Sequence, residues 1–400
     1  MVEIDWTSKE SLFLYNSKLS LIKNFDFKDI IKICDLNGHI FIATSGSTAM
    51  NPEDIKFVAL KKLAILESAK SVVDHLEYKS NDTILNILPY FHISGLANYA
   101  RSYISGCKIV DLYSDNLKWN PHYFVSEAQK INATITSLVP TQIFDIVKEN
   151  LKSPKSLRAV VVGGGAISFD LYVKARELFW NILPSYGMTE CGSQIATAAV
   201  DFVWDSEFPK LDIMKHLIVK INETGNICIA GNSLFSGYLL INDNKLSFKD
   251  FQLENLNENT KIKPTKFLET SDIGSIIDNK LCVYGRGDNV VKVLGESVSL
   301  GKLNSILDAI KLELNLKYDV IISSIKDERC ENKIIFIFEE ECNFDLNKLR
   351  IIIDEFNKKV FPFEKAKIFY LVKNIPKTSL GKIKSSQLLN LIKNSCFYEL

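Results

Sequence analysis

Three segments carry side chains whose types and spacing suit a phosphorylated, base-bearing ligand. Thr44-Ser45-Gly46-Ser47-Thr48 interleaves hydroxyls with a glycine directly after an apolar run. Such a loop can aim several donors at a triphosphate, and Gly46 lets the backbone come close. A plain Ser/Thr turn has the same composition, and no lysine follows at the spacing of the G-x-x-x-x-G-K-[ST] nucleotide loop. Ser185-Tyr186-Gly187-Met188-Thr189-Glu190-Cys191-Gly192 combines an aromatic face for a base, a hydroxyl for a phosphate and a carboxylate able to hold Mg2+. Thr270-Ser271-Asp272-Ile273-Gly274 and Tyr284-Gly285-Arg286-Gly287-Asp288 add an aspartate that can take both ribose hydroxyls and an arginine fork for hydroxyl or phosphate oxygens.

Three further segments are weaker alone. Leu88-Pro89-Tyr90-Phe91-His92-Ile93-Ser94-Gly95-Leu96 sets one of only five histidines among aromatics. Taken alone, a histidine there is more often structural than catalytic. Gly163-Gly164-Gly165-Ala166 permits a backbone to lie flat against a planar ring, although tight strand-to-helix turns use such triplets too. Ile375-Pro376-Lys377-Thr378-Ser379-Leu380-Gly381-Lys382-Ile383 can carry a cation into a site on another domain, where the ordinary reading is a surface lysine.

The elements that must hold these loops are short β-rich runs alternating with helical patterns, the mark of an α/β layered domain. Strands are expected at 40–43, 83–88, 135–139, 159–162 and 182–184, and a helix over 61–76 with Ile65, Ala69, Val72, Val73 and Leu76 on one face. Ligands of open α/β sheets sit beyond the carboxyl ends of the strands, where these loops fall. From about residue 202 the pattern turns β-rich, with runs at 217–221, 227–230 and 275–284, and a second subdomain is expected there. Arg286-Gly287-Asp288-Asn289 reads as a linker. Beyond it, helix 300–312, strands 319–324 and 334–338, helix 346–358 and strand 368–372 describe a small α+β unit. The expected division is a large domain over 1–285 and a small one over 286–400.

Composition narrows the partners. The chain has 400 residues, 46% hydrophobic and 24% charged, too long for one compact core. Lysine plus arginine equals aspartate plus glutamate at 48 each, so no net field favours nucleic acid or an anionic membrane. No run approaches the ~18 apolar residues of a membrane span. The N-terminus Met-Val-Glu-Ile-Asp-Trp lacks the form of a signal peptide. Cys34, Cys107, Cys191, Cys228, Cys282, Cys330, Cys342 and Cys396 include no C-x-x-C pair. Several lie in apolar runs such as Asn226-Ile227-Cys228-Ile229, so buried reduced thiols and a cytoplasmic location are expected.

In their order, these segments resemble the adenylate-forming superfamily of acyl- and aryl-CoA synthetases, luciferases and nonribosomal peptide adenylation domains. Thr44 to Thr48 resembles its Ser/Thr/Gly phosphate loop, and Tyr186-Gly187-Met188-Thr189-Glu190 its Tyr-Gly-x-Thr-Glu motif. Thr270-Ser271-Asp272 is similar to Thr-Gly-Asp. Gly285-Arg286-Gly287-Asp288 with Lys292, Gly295 and Glu296 resembles the hinge motif, and Pro376-Lys377-Thr378 through Lys382 the catalytic-lysine motif. Leu88-Pro89 to Leu96 with Arg101, Ser137-Leu138-Val139-Pro140-Thr141-Gln142 and Gly163 to Ile167 resemble the o-succinylbenzoate–CoA ligase group of menaquinone biosynthesis.

The resemblance implies an ATP- and Mg2+-dependent ligase that forms an acyl-adenylate and passes the acyl group to coenzyme A. It places Thr44, Ser45, Gly46, Ser47, Thr48 and Thr189 on phosphates, Gly163, Gly164, Gly165, Tyr186 and Gly187 near adenine, Asp272 and Arg286 on ribose, and Glu190 on magnesium. Lys382 becomes the catalytic lysine, assisted by Thr189, and Asp288 the hinge. His92, Ser94 and Arg101 line the acyl pocket, Arg101 facing a second carboxylate, and His92 lines or gates that pocket. Three departures stand out. Thr48 is followed by Ala49-Met50-Asn51-Pro52-Glu53-Asp54 instead of Gly-x-Pro-Lys, with Lys56 the next cation. Ser271 replaces a glycine. Only about 40 residues precede Thr44, far fewer than in relatives, which points to a short form or to a partner or homodimer covering that side. The rival readings are a ligase loading a carrier protein, and a catalytically silent relative acting as a binding or scaffold protein.

Overall fold

The computed structural model describes residues 4–16, 25–44, 55–114, 118–202, 208–242, 245–251, 266–287, 290–314, 316, 319–340, 346–377, 383–393, 395 and 397–399. Five parallel strands, Lys108–Asp111, Thr83–Asn86, Ile135–Leu138, Ala159–Val162 and Ile182–Met188, form one half of an eleven-stranded sheet. Ala159–Val162 is buried along its whole length, as expected of strands covered on both faces. Helices Ile93–Ser105, Pro121–Lys130, Pro140–Lys148 and Phe169–Glu177 connect them. Asn120 caps the second of these helices by accepting from the Tyr123 amide, and Ser168 caps the fourth by accepting from Leu171. Trp180, Tyr172 and Phe124 fill the core on this side.

Past Met188 the sheet turns antiparallel through Ser193–Thr197, Leu211–Ile213, Lys280–Arg286, Leu268–Ile277, Asn226–Gly231 and Leu217–Ile221. The strands between residues 202 and 286 therefore divide between two sheets. Gly237–Asn242 and Lys245–Asp250 instead join His39–Thr44, Lys56–Lys61 and Leu12–Leu14 in a five-stranded sheet. The helix Lys62–His75 follows directly on Lys56–Lys61 and buries Ile65, Ala69 and Val72, with Leu76 just beyond its end.

Two sequence expectations need correction. Ser185 to Met188 is not a loop but the end of a strand, because Tyr186 to Met188 pair with Ser193 to Ala196 across a bulge. The run 275–284 is two strands, Leu268–Ile277 and Lys280–Arg286, joined by a tight turn in which Asp278 and Asn279 both hold positive φ. Thr270, Asp272 and Arg286 thus sit on strands rather than in loops.

The C-terminal part has its own core. Strands Val320–Asp327, Glu331–Glu339, Ile368–Val372 and Phe397–Glu399 form a four-stranded sheet; helices Leu300–Glu313 and Leu346–Lys358 pack on its Phe336 and Phe338, the second helix through Phe356. A two-stranded hairpin, Val290–Val293 with Glu296–Ser299, precedes it and turns at Leu294 and Gly295, both at positive φ. Helix Leu346–Lys358 and strand Ile368–Val372 have the bounds the periodicity predicts.

Candidate active site

The glycine loop and the tyrosine strand meet at the carboxyl end of the parallel half. Gly163 follows the strand Ala159–Val162, and a Cβ there would stand 3.2 Å from the Ser185 carbonyl oxygen. Gly164 holds φ +78°, a left-handed turn against Val139. Gly165 lies against the Pro140 ring. One residue on from Ser185, the Tyr186 phenol donates to Asp272 Oδ2 at 2.7 Å. That bond joins two motifs 86 residues apart. Burial, and then the neighbouring Asp272 carboxylate, push the phenol above its ordinary range, so Tyr186 stays a neutral donor. The Asp272 amide donates to Thr270 Oγ1 at 3.1 Å, and Asp272 pairs across the sheet with Arg286.

Glu190 sits in a single 3-10 turn, Thr189–Cys191, closed by Gly192 at φ +70°. Its backbone carbonyl accepts from the Phe235 amide at 2.8 Å, and its Oε1 accepts from the Tyr238 hydroxyl at 3.0 Å. Burial, then Glu190, raise the Tyr238 phenol. Lys56 Nζ stands 3.8 Å above the Tyr238 ring, a cation–π contact. Thr44 pairs with Lys56 across the hairpin and its Oγ1 donates to the Lys56 carbonyl at 3.1 Å. Lys56, Tyr238 and Glu190 thus form a cation–ring–carboxylate series at the base of the Thr44 loop. Tyr238 had no signal in the sequence, since one tyrosine in an apolar run reads as packing.

His92 is the residue before helix Ile93–Ser105, its ring 4.8 Å from Phe91. Gly95 is required two residues into that helix, because a Cβ would meet the Pro89 carbonyl at 2.2 Å. The Ser94 hydroxyl is buried with no partner. Two turns on, Arg101 is 2% exposed. Its guanidinium donates to Asn98 Oδ1 at 2.9 Å and to Ser193 Oγ at 3.2 Å, and its Nε has no partner. The Tyr78 hydroxyl lies beside it without completing hydrogen-bond geometry. Asn98 is fixed in turn by Asn86 and Ser137, and Asn86 by Asp111, which also accepts from Tyr99. Among the described residues no carboxylate pairs with Arg101. Asn86, Asn98 and Ser193 escape a sequence reading, because buried amides and hydroxyls leave no spacing signature.

Ser45, Gly46, Ser47, Thr48, Asp288 and Lys382 lie outside the described residues, as do Cys342 and Cys396. Of the other cysteines, Cys107, Cys191 and Cys228 are buried and unbridged, whereas Cys34, Cys282 and Cys330 are half-buried, also unbridged. Lys292 donates to the Gly295 carbonyl within the hairpin, and Gly295 donates to Glu331. Among the described residues no three histidine, cysteine or acidic side chains cluster as a metal site. No described helix is long and apolar enough to cross a membrane.

A glycine loop, an aromatic–aspartate pair and a lone acidic turn at the end of a parallel sheet define a nucleotide-binding α/β fold. The pattern of the AMP-binding enzyme family matches residues 37–239, just over half of the chain, and the chain belongs to that family. It is 26% identical over 341 residues to a 2-succinylbenzoate–CoA ligase of Staphylococcus epidermidis, covering 82% of this chain and 66% of that protein. It is 26% identical over 385 residues to 4-coumarate-CoA ligase 1 of Narcissus pseudonarcissus, covering 88% of this chain and 64% of that one. The chain thus spans just under two thirds of the length of these relatives. The solved o-succinylbenzoate coenzyme A synthetase of Bacillus subtilis in complex with AMP has the same fold, with a TM-score of 0.68 at 21% identity over 90% of this chain and 70% of that one.

Proposed function

We propose that the protein activates a carboxylic acid with ATP and transfers the acyl group to coenzyme A, with o-succinylbenzoate as the acid. The observation that carries this reading is the Tyr186–Asp272 bond beside Gly163. It sets an aromatic face, a glycine edge and an aspartate around one space, as an adenosine requires. Asp272 presents its remaining oxygen to the ribose hydroxyls, supported by Arg286, and Thr44 and Thr189 face the phosphates, joined by Ser45, Ser47 and Thr48. The substrate carboxylate oxygen attacks the α-phosphorus, pyrophosphate leaves, and the coenzyme A thiolate then attacks the acyl carbonyl to release AMP. Catalysis of this kind rests on alignment and charge neutralisation.

A single carboxylate, Glu190, suits magnesium that arrives on the triphosphate, since Mg2+ takes one or two carboxylates plus phosphate oxygens. The metal would neutralise phosphate charge, while Tyr238 and Lys56 hold Glu190 in place. Lys382 stabilises the charge developing between carboxylate and α-phosphate, and rotation of residues 286–400 about Asp288 withdraws it for the second half-reaction. Arg101, buried without a carboxylate, suits the second acid group of o-succinylbenzoate, and His92 and Ser94 line the same acyl space.

The test is ATP-dependent pyrophosphate release across a panel of mono- and dicarboxylic acids, with coenzyme A and a carrier protein compared as acceptors. Pyrophosphate release with o-succinylbenzoate and matching coenzyme A consumption is the expected result. Absence of ATP binding by calorimetry would leave a binding protein instead. Lys382→Ala should abolish adenylation while sparing thioester formation from supplied acyl-adenylate, and equal loss of both halves would sink the two-orientation mechanism.

A further inference from the structure

Away from the nucleotide residues, the two lobes meet along helix Leu300–Glu313, which packs on Phe169–Glu177. Leu312 joins the apolar core of the large lobe, and Lys311 Nζ stands 5.2 Å from the centre of the Phe144 ring. Between them lies a cavity of about 200 Å³ lined by Phe144, Val147, Lys148, Lys174, Lys311 and Leu312. Half of its lining residues are lysines, and none is acidic. Two of the lysines come from the large lobe and one from the small lobe.

Among the described residues, Lys311 forms an ion pair with Asp308 at 3.2 Å on its own helix. Its side chain is 12% exposed, so this charge is drawn well out of water. Lys148 and Lys174 form no ion pair among the described residues. Asp145, on the same helix as Lys148, lies outside the cavity lining: it accepts from Trp119 Nε1 at 2.9 Å and offsets the Lys148 charge only in part. Three like charges around one cavity repel one another as the lobes close, and the repulsion grows as water is excluded. An anion in the cavity reverses the sign of that interaction.

We propose that this cavity is a binding site for a phosphoryl dianion that bridges the lobes. Ammonium groups bind phosphate as point charges, and three of them around a small space match a tetrahedral oxyanion better than a planar carboxylate. The space is large enough for a phosphoryl group. The dianion is either free phosphate or the phosphomonoester end of a larger molecule whose remainder stays outside. The site is separate from the adenosine space: Lys148 closes the helix that Pro140 opens beside Gly165, about 12 Å along the axis. Because the anion touches both lobes, it favours this arrangement of the lobes over any in which they part.

The test is thermal denaturation of the full chain titrated with inorganic phosphate or with adenosine 3′,5′-bisphosphate, against sodium chloride at matched ionic strength. A saturable rise in Tm is expected in the wild type. Its midpoint should move at least tenfold in the Lys148→Gln/Lys174→Gln double variant and stay put in Lys155→Gln, a lysine outside the cavity. A response to phosphate identifies the free anion, and a response to the bisphosphate alone identifies the phosphomonoester of a larger molecule. Equal rises with chloride, no saturable rise with either phosphate, or a double variant that responds like the wild type would overturn the proposal. Lys311→Gln repeats the test from the small lobe, so a folding defect in one variant leaves the other decisive.

Discussion

The polar groups around Asp272 and Glu190 contrast with those around Arg101. On the side proposed to hold the nucleotide, each key group has an answer: Tyr186 to Asp272, Tyr238 to Glu190, Lys56 over Tyr238. Under helix Ile93–Ser105, a buried guanidinium is held by neutral amides and hydroxyls alone, with Nε unpartnered. Leaving a buried donor unmet costs about 1–3 kcal/mol, and more for a charged group. The first region is assembled before any ligand arrives. The second leaves Arg101 Nε unmet, and at this deficit the proposed function puts the second carboxylate of the acid.

The largest effect expected is on the assembled side. Asp272→Ala should lower ATP–pyrophosphate exchange on the order of 100-fold through the loss of two charge-assisted hydrogen bonds, whereas Tyr186→Phe should cost less. Equal losses would make Asp272 only a partner for the tyrosine. Arg101→Met then probes the deficit. Turnover of a dicarboxylic acid should fall roughly tenfold to a hundredfold, monocarboxylic acids should be spared, and Tm should hold or rise, because an isosteric apolar residue relieves an unpaired buried charge. A large drop in Tm would mean that the polar network is structural. Gly187→Ala should destabilise by about 2 kcal/mol in urea unfolding, because its Cβ would lie 2.1 Å from the Ser193 carbonyl that shapes the bulge beside Tyr186.

The smallest effect concerns pH. His216 is half-buried, with both ring nitrogens buried and unpartnered, and desolvation lowers its pKa to about 4 from an ordinary 6.5. The unfolded chain therefore binds the extra proton first. Stability is complete above pH 6.5 and falls, by on the order of 2 kcal/mol, as pH drops toward 4. His216→Leu should flatten that slope in the pH dependence of Tm.

Much of the proposed nucleotide site could be picked out in the sequence because its functional groups lie in contiguous segments. Gly163 to Gly165 and Tyr186 to Glu190 each carry several functional groups within a few residues. The sheet around them was less legible. Pro184, Ser185 and Gly187 resemble loop residues, yet the antiparallel partner Ser193–Thr197 holds them as a strand, and Gly187 serves close backbone approach rather than a turn. The turn at Asp278-Asn279 hid inside an alternating run because two residues suffice for it. Arg101 was visible as a basic residue, but its surroundings were not. Asn86, Asn98, Ser137 and Ser193 come from separate elements, and only the packed fold brings them to one guanidinium.

The Trp119–Asp145 bond has an optical consequence. Asp145 is held by the indole on one side, and the charges of Asp319 and Lys377, themselves paired on the small lobe, act on it from the other. Burial raises its pKa, so its ionisation is sensitive to any cation that leaves. If the small lobe rotates as the proposed mechanism requires, the electric field along the Trp119 ring changes with it. Emission from a native fluorophore would then report the swing in real time, without a label.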